Sequence, residues 1–243
     1  MPPEPGNIAS VNISAGLASE TGERHKNGTD LVIAVDGPSG SGKSSASRGV
    51  ATALGLRYLD TGATYRALTW WLLEHGIDVA DPAAVASHLN QAGIEVGTDP
   101  DQPWTNVDGK DVSQAIRTKE VTGAVSAVAS VPEVRAHLIA MQREIIARSG
   151  GIVAEGRDIG TVVAPDADVK VFLTAGSAAR AVRRATQANW SEVATRTEQD
   201  RRDGLDAAQS GKAADAVEID STALSLDEVI DMIVRMAQCL SKS

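Results

Sequence analysis

The stretch Gly37-Pro-Ser-Gly-Ser-Gly-Lys-Ser44 constrains this chain more than any other. It lies between a short apolar run, Leu31 to Val35, and a segment of helical character, Lys43 to Leu54. A continuous apolar run closed by a Gly-rich turn reads as a buried parallel strand. Glycines permit backbone angles that turn several N–H groups toward one anion, and the helix start adds partial positive charge. The match to G-x-x-x-x-G-K-[ST] is complete. It predicts that Gly37, Pro38, Ser39, Gly40, Ser41, Gly42, Lys43, Ser44 and Ser45 wrap the phosphates of ATP. Lys43 would reach the β- and γ-phosphates, and Ser44 would offer its hydroxyl to Mg²⁺.

Strand and helix signals alternate along the rest of the chain. Leu56 to Leu59, Ile152 to Ala154, Val169 to Leu173 and Ala216 to Ile219 read as further buried strands. Helical character covers Tyr65 to Glu74, Ser177 to Asp203 and Ser225 to Leu240, the last opened by Ser225 with Glu228 three residues on. This alternation predicts an α/β fold with a doubly wound, five-stranded parallel sheet and helices on both faces.

The middle of the chain differs in kind. Asp81 with Pro82 opens a helix. Ile94 to Val96, Trp104 to Val107 and an Asp108-Gly109 turn suggest short antiparallel strands. Val112 to Ile116 and Val121 to Arg148 look helical, with Pro132 marking a turn or break. The division predicted is a disordered leader over 1–30, core over 31–66 and an insertion over 67–130. Core over 131–184, a lid over 185–213 and a closing strand and helix over 214–243 complete it. The Gly204 to Lys212 stretch reads as a polar loop within the lid.

Composition narrows the partners. The formal charge of −9 over 243 residues argues against a nucleic-acid partner, which calls for a basic surface. Aromatics make up only 3%, so the core must be aliphatic. Cys239 is the single cysteine, which rules out an intrachain disulfide and suits a reducing compartment, the cytoplasm. With no apolar run of about 18 residues, no membrane span is expected. No apolar strand ends in the Asp of a second nucleotide motif. Instead Ile152-Val-Ala-Glu155 leads into Gly156-Arg157-Asp158, so Glu155 is a candidate to hold a Mg²⁺-bound water, or else an ordinary strand-end carboxylate.

Four stretches carry a resemblance. They are Asp36-Gly-Pro-Ser-Gly-Ser-Gly-Lys-Ser44, Leu59-Asp-Thr-Gly-Ala-Thr-Tyr-Arg66, Ile116-Arg-Thr-Lys-Glu-Val121 and Glu155-Gly-Arg-Asp-Ile-Gly-Thr161. From about Leu31 onward the chain resembles the bacterial cytidylate kinases. The resemblance implies a nucleoside-monophosphate kinase fold with a core, a monophosphate-binding insertion and a mobile lid. It implies transfer of the γ-phosphate of ATP to CMP or dCMP with Mg²⁺, by a monomer.

The site residues follow from chemistry and resemblance together. Two polyanions must be held close, which favours arginine forks over lysine. Arg66 and Arg157 are assigned to the CMP phosphate. A carboxylate suits the cytosine amino group and an arginine suits its acceptors, so Asp158 and Arg135 are assigned to the base. By resemblance Thr61, Ser126 and Tyr65 line the same pocket, with Ser126 nearer the sugar. Arg180 and Arg184, four apart on one helix face, are expected to swing over the triphosphate, while Arg183 and Arg196 are read as solvated. Arg202 and Asp206 match a family pattern that approaches the ribose hydroxyls. Gln209 stands where the family carries an arginine that closes over CMP, and the loop to Lys212 is shortened; either Arg201 or Lys212 replaces the charge or, the preferred reading, closure is weak and CMP binds poorly. Two alternatives stay open: a kinase of another small acceptor, and a non-catalytic nucleotide sensor with a decayed lid.

Overall fold

The computed structural model describes residues 31–188, 204 and 211–240. In chain order it contains β1 (Val32–Asp36), α1 (Lys43–Leu54), β2 (Arg57–Asp60), α2 (Thr61–Glu74) and α3 (Pro82–His88). There follow β3 (Ile94–Val96), β4 (Thr105–Val107), β5 (Lys110–Asp111), α4 (Lys119–Ala129), α5 (Pro132–Arg148) and β6 (Ile152–Gly156). The chain ends through β7 (Val169–Thr174), α6 (Ser177–Ala188), β8 (Val217–Asp220) and α7 (Leu226–Leu240).

Five strands form one parallel sheet in the order β2-β6-β1-β7-β8. Alternation within β1 assigns its residues to two layers. Ile33 and Val35 join Val50 of α1 and Val229 and Ile233 of α7 on one face. Ala34 points to the other face, with Leu59, Ala154 and Ile159, where Ile139 and Ile146 of α5 pack. Branched aliphatic side chains fit this pleated, doubly covered surface. The sheet is therefore five-stranded, parallel and covered on both faces, as the alternation predicts.

A third cluster joins Leu68 and Leu72 of α2 to Val85 of α3, Val107 of β4, Val128 of α4 and Leu138 of α5. The three short strands β3-β4-β5 form an antiparallel sheet beside it. Asp108 (φ 52°) and Gly109 (φ 77°) both take positive φ, the geometry of a tight two-residue hairpin. Asp108 also accepts from Gly93 N and from Trp71 Nε1, each at 2.8 Å, which ties the hairpin to α2.

Two sequence readings shift. The second helix begins at Thr61 rather than Tyr65, because Asp60 caps it by accepting from Ala63 N at 2.9 Å. Val112 to Ile116 is not a helix. Val112 N bonds Thr105 O and Ser113 Oγ accepts from Thr105 N, so the chain keeps pairing with β4, and only a short 3-10 turn at Ala115–Arg117 follows. The break at Pro132 is present: α4 and α5 meet at 101°, with Pro132 in the first turn of α5. Residue 67 falls inside α2 and residue 184 inside α6, so neither boundary marks a break in the backbone. The capping box at the last helix is present: Ser225 N donates to Glu228 at 2.8 Å, and Glu228 N donates to Ser225 Oγ at 3.2 Å. Among the described residues no single helix is long and apolar enough to cross a membrane. The leader and most of the lid, including Arg196, Arg201, Arg202, Asp206 and Gln209, lie outside the described residues.

Candidate active site

Strand register brings the motif residues to one edge of the sheet. Asp36 at the end of β1 is level with Gly156 of β6, and Asp60 at the end of β2 is level with Glu155. In a parallel sheet the carboxyl ends of the strands form the crevice where ligands bind. The chain order places the phosphate loop, the start of α2 and the 157–160 turn around that crevice.

The phosphate loop lies in the space between β1 and α1. Gly37 (φ 146°), Gly40 (φ 79°) and Gly42 (φ 96°) all take backbone angles that favour glycine. A methyl on Gly37 would sit 2.1 Å from Leu173 O, so the loop passes directly over β7. Lys43 Nζ donates to Pro38 O at 2.8 Å, inside its own loop. Burial and the neighbouring Arg157 push the Lys43 ammonium down to about 7. Asp36 is buried and accepts from Ile159 N and Gly160 N, both at 2.8 Å. Burial raises its carboxyl above the usual range despite those two bonds. Asp36 thus fastens the strand before the phosphate loop to the turn that carries Asp158.

Behind the loop lies a cluster of oxygen groups. Glu155 is buried and accepts from Tyr58 Oη at 2.5 Å, with the Ser44 hydroxyl also against it. Burial and the nearby Asp60 raise the Glu155 carboxyl, and burial and Glu155 raise the Tyr58 phenol. A hydroxyl and a carboxylate at the root of a phosphate loop are hard oxygen donors of the kind Mg²⁺ takes, with phosphates and waters completing its shell. Ser44 and Glu155 therefore fit the ion.

A second charged group is built on the first turns of α2. Arg66 Nη2 donates to Asp60 Oδ2 at 2.7 Å, and Arg117 Nη2 lies 3.6 Å from the same oxygen. Burial alone would raise the Asp60 carboxyl, but Arg66, Arg117 and the Ala63 N–H hold it below the usual range. A methyl on Gly62 would lie 2.8 Å from Arg66 Nη1 and 3.2 Å from Asp60 Oδ1, so a side chain there would displace the guanidinium from its place on the carboxylate. Among the described residues the buried Arg66 Nε has no hydrogen-bond partner. Beside this group a cavity of about 390 Å³ opens, with Ser44, Tyr58, Asp60, Trp104 and Arg117 in its wall.

Arg135 of α5 and Asp158 form a direct ion pair, and both act on the Tyr65 phenol, which burial pushes up to about 12. Thr61 is buried and gives its proton to Glu155 O at 2.7 Å, so its oxygen can only accept from a ligand. Thr64 Oγ1 donates to Thr61 O at 2.8 Å and Gln142 Nε2 to Thr64 Oγ1 at 2.9 Å. This buried chain fixes the first turn of α2 against α5. Ser126 is buried on α4.

The lid root departs from the sequence reading. Arg180 Nη1 reaches Ser39 O at 3.1 Å. Arg183, expected to be solvated, reaches Ser41 O at 3.2 Å and Ser221 Oγ at 2.9 Å. The helix face turned to the loop thus carries positions three apart. The Arg184 side chain lies outside the described residues. Lys212 Nζ pairs with Glu218 at 3.0 Å. Sequence reasoning also passed over Asp36, Tyr58, Asp60, Arg117 and Gln142. Asp36, Asp60 and Arg117 stood inside the quoted motifs. Tyr58 and Gln142 carried no signal, since each is an ordinary residue of a strand or helix until its partner is known.

A phosphate loop at the carboxyl ends of a parallel sheet, with the Arg66–Asp60 and Arg135–Asp158 pairs beside it, is the arrangement of a P-loop phosphotransferase. The family described as Cytidylate kinase matches residues 33–239. The chain is 51% identical to the cytidylate kinase of Streptomyces griseus over 216 residues, covering 86% of this chain and 94% of that one. It is 53% identical to that of Streptomyces coelicolor over 214 residues, covering 86% and 93%. It is 50% identical to that of Nocardia farcinica over 218 residues, covering 86% and 94%. The chain belongs to the cytidylate kinase family.

Proposed function

We propose that this protein transfers the γ-phosphate of ATP to CMP or dCMP, giving CDP or dCDP. The observation that carries the reading is the Arg135–Asp158 ion pair, set beside Tyr65 and fastened through Asp36 to the phosphate loop. Cytosine offers an amino donor and two acceptors on one edge. A carboxylate and a guanidinium held together match that edge, whereas uracil would set a carbonyl against the carboxylate.

In this reading the phosphate-loop amides and Lys43 hold the triphosphate. Ser44 and Glu155 would hold Mg²⁺, Ser44 through its hydroxyl and Glu155 through a bound water. The ion supplies neutralisation of charge on the β- and γ-oxygens. Arg66 and Arg157 grip the acceptor phosphate and keep its oxygen in line for attack, and Arg117 adds charge at the same carboxylate-anchored corner. Arg180 bears on the loop from the lid side. Catalysis here is positioning and charge stabilisation, since phosphoryl transfer asks little covalent chemistry of the protein.

A coupled assay with ATP and CMP, dCMP, UMP and AMP tests the proposal. CMP and dCMP should exceed UMP in kcat/KM by about ten- to a hundredfold, the effect of leaving a buried acceptor unpaired. Equal values for CMP and UMP would remove Asp158 and Arg135 from the base-reading role.

A further inference from the structure

Four cations hold carbonyl oxygens of the phosphate loop. Arg157 Nη1 donates to Gly37 O at 3.0 Å, Lys43 Nζ to Pro38 O at 2.8 Å, Arg180 Nη1 to Ser39 O at 3.1 Å and Arg183 Nη1 to Ser41 O at 3.2 Å. Arg183 is also anchored elsewhere. Its Nη1 donates to Ser221 Oγ at 2.9 Å and its Nη2 to Ser221 O at 2.7 Å. Ser221, directly after β8, is only 2% exposed, and its hydroxyl lies 3.0 Å from Ser41 O and 2.9 Å from Thr174 O. One guanidinium therefore bolts together α6, the turn after β8 and the phosphate loop.

The planar peptide turns this bolt into ligand geometry. In a trans peptide the C=O of one residue and the N–H of the next point in opposite directions. The described residues contain no cis peptide bond. Drawing the Ser41 oxygen outward, onto Arg183 and Ser221, aims the Gly42 N–H toward the concave side of the loop. Gly42 takes φ 96°, and a methyl there would lie 3.7 Å from Arg183 Nη1, so the guanidinium packs over this peptide. An amide held in advance costs no reorganisation when an anion arrives.

We infer that Arg183, acting with Ser221, is a positioning residue for the triphosphate donor. It fixes the Gly42 amide for a phosphate oxygen and makes the orientation of α6 part of the donor site. The inference rests on the nucleotide-binding reading of the loop. It adds a residue that the sequence places on a solvated surface.

The test is ATP binding to the full chain by calorimetry, with KM for ATP and CMP measured alongside, for Arg183→Gln, Arg183→Lys and Ser221→Ala. Arg183→Gln should weaken ATP by about tenfold or more, as expected for loss of a charge-assisted contact. KM for CMP should stay within about twofold, because that side is not tied to Ser41. Ser221→Ala changes no charge and should weaken ATP by a smaller factor in the same direction. Arg183→Lys keeps the charge but not the fork and should remain weaker than wild type. The double variant should be no worse than Arg183→Gln alone, since both act through one carbonyl. Wild-type affinity in Ser221→Ala and Arg183→Lys would overturn the inference, as would equal losses for ATP and CMP with a lowered Tm. If Arg183→Gln does not fold, the other two variants decide. Absence of ATP binding by the wild type would instead reject the reading of the loop itself, which Lys43→Ala checks independently.

Discussion

The Arg66 guanidinium donates to the Asp60 carboxylate over 2.7 Å, although the two residues are separated by the first turn of α2. Asp60 ends β2 and caps α2, so the fork hangs from the junction of a strand and a helix. The arginine proposed to grip the acceptor phosphate is therefore held before a ligand arrives.

Arg66→Lys should lower kcat/KM for CMP by about ten- to a hundredfold, because a point charge cannot bond Asp60 and a phosphate as the planar fork does. The KM for ATP should change by less than about threefold, as expected for a site with no shared partner. Initial-rate kinetics with each substrate varied in turn provide the check. Equal losses for both substrates would assign Arg66 to the fold or the donor site.

Asp158→Asn should narrow base selectivity. The Arg135–Asp158 pair is largely withdrawn from water, and an amide can present either a donor or an acceptor. The kcat/KM for CMP should fall by about ten- to a hundredfold while that for UMP changes little or rises. An unchanged CMP to UMP ratio would exclude Asp158 from reading the base.

The Asp60 cluster sets an acid limb of stability. Burial raises the Asp60 carboxyl, but Arg66, Arg117 and the Ala63 N–H outweigh it, and the folded value lies below the unfolded one. A depressed carboxylate stabilises the fold above its unfolded pKa and loses that contribution as pH falls through the folded value. Unfolding free energies of wild type and Asp60→Asn from urea titration should differ by about 1.5–3 kcal/mol near neutrality, the range for a hydrogen bond to a charged group. The difference should shrink as pH drops below the usual carboxylate range. A difference constant from pH 6 to pH 3 would show that the charge of Asp60 does not contribute.

Gly37→Ala should destabilise the chain by about 3 kcal/mol or more, combining a strained φ with a backbone clash. The added methyl would meet Leu173 O at 2.1 Å, and a strand carbonyl cannot step aside. Thermal unfolding measures the loss. A change below about 1 kcal/mol, typical of a substitution away from such features, would mean that the loop and β7 separate readily.

Much of the core was legible because its signals are local. The Asp108-Gly109 hairpin, the Ser225–Glu228 cap and the apolar runs of the sheet each depend on residues within a few positions of one another. Val112 to Ile116 misled because apolar spacing in a short segment does not separate helix from strand, and the partner that decided it, Thr105, lies seven residues back. The first turn of α2 is hidden because a D-T-G run looks like a loop until Asp60 is seen to cap it.

A phosphate loop between a strand and a helix, a parallel sheet, and arginines and carboxylates in motifs suited to two phosphorylated ligands can all be read from the residues in order. Glycine angles, caps and hydrophobic period act over a few residues and so can be read along the chain. Which charges meet depends on how the chain folds back on itself. Asp36 binds Ile159 and Gly160 across more than 120 residues, Arg183 binds Ser221 across 38, and Tyr58 binds Glu155 across 97. Those pairings follow from strand order and helix rotation, which bring distant side chains within hydrogen-bond reach. They decide whether an arginine is a solvated charge or a bolt on the phosphate loop, a difference that the residue type alone does not encode.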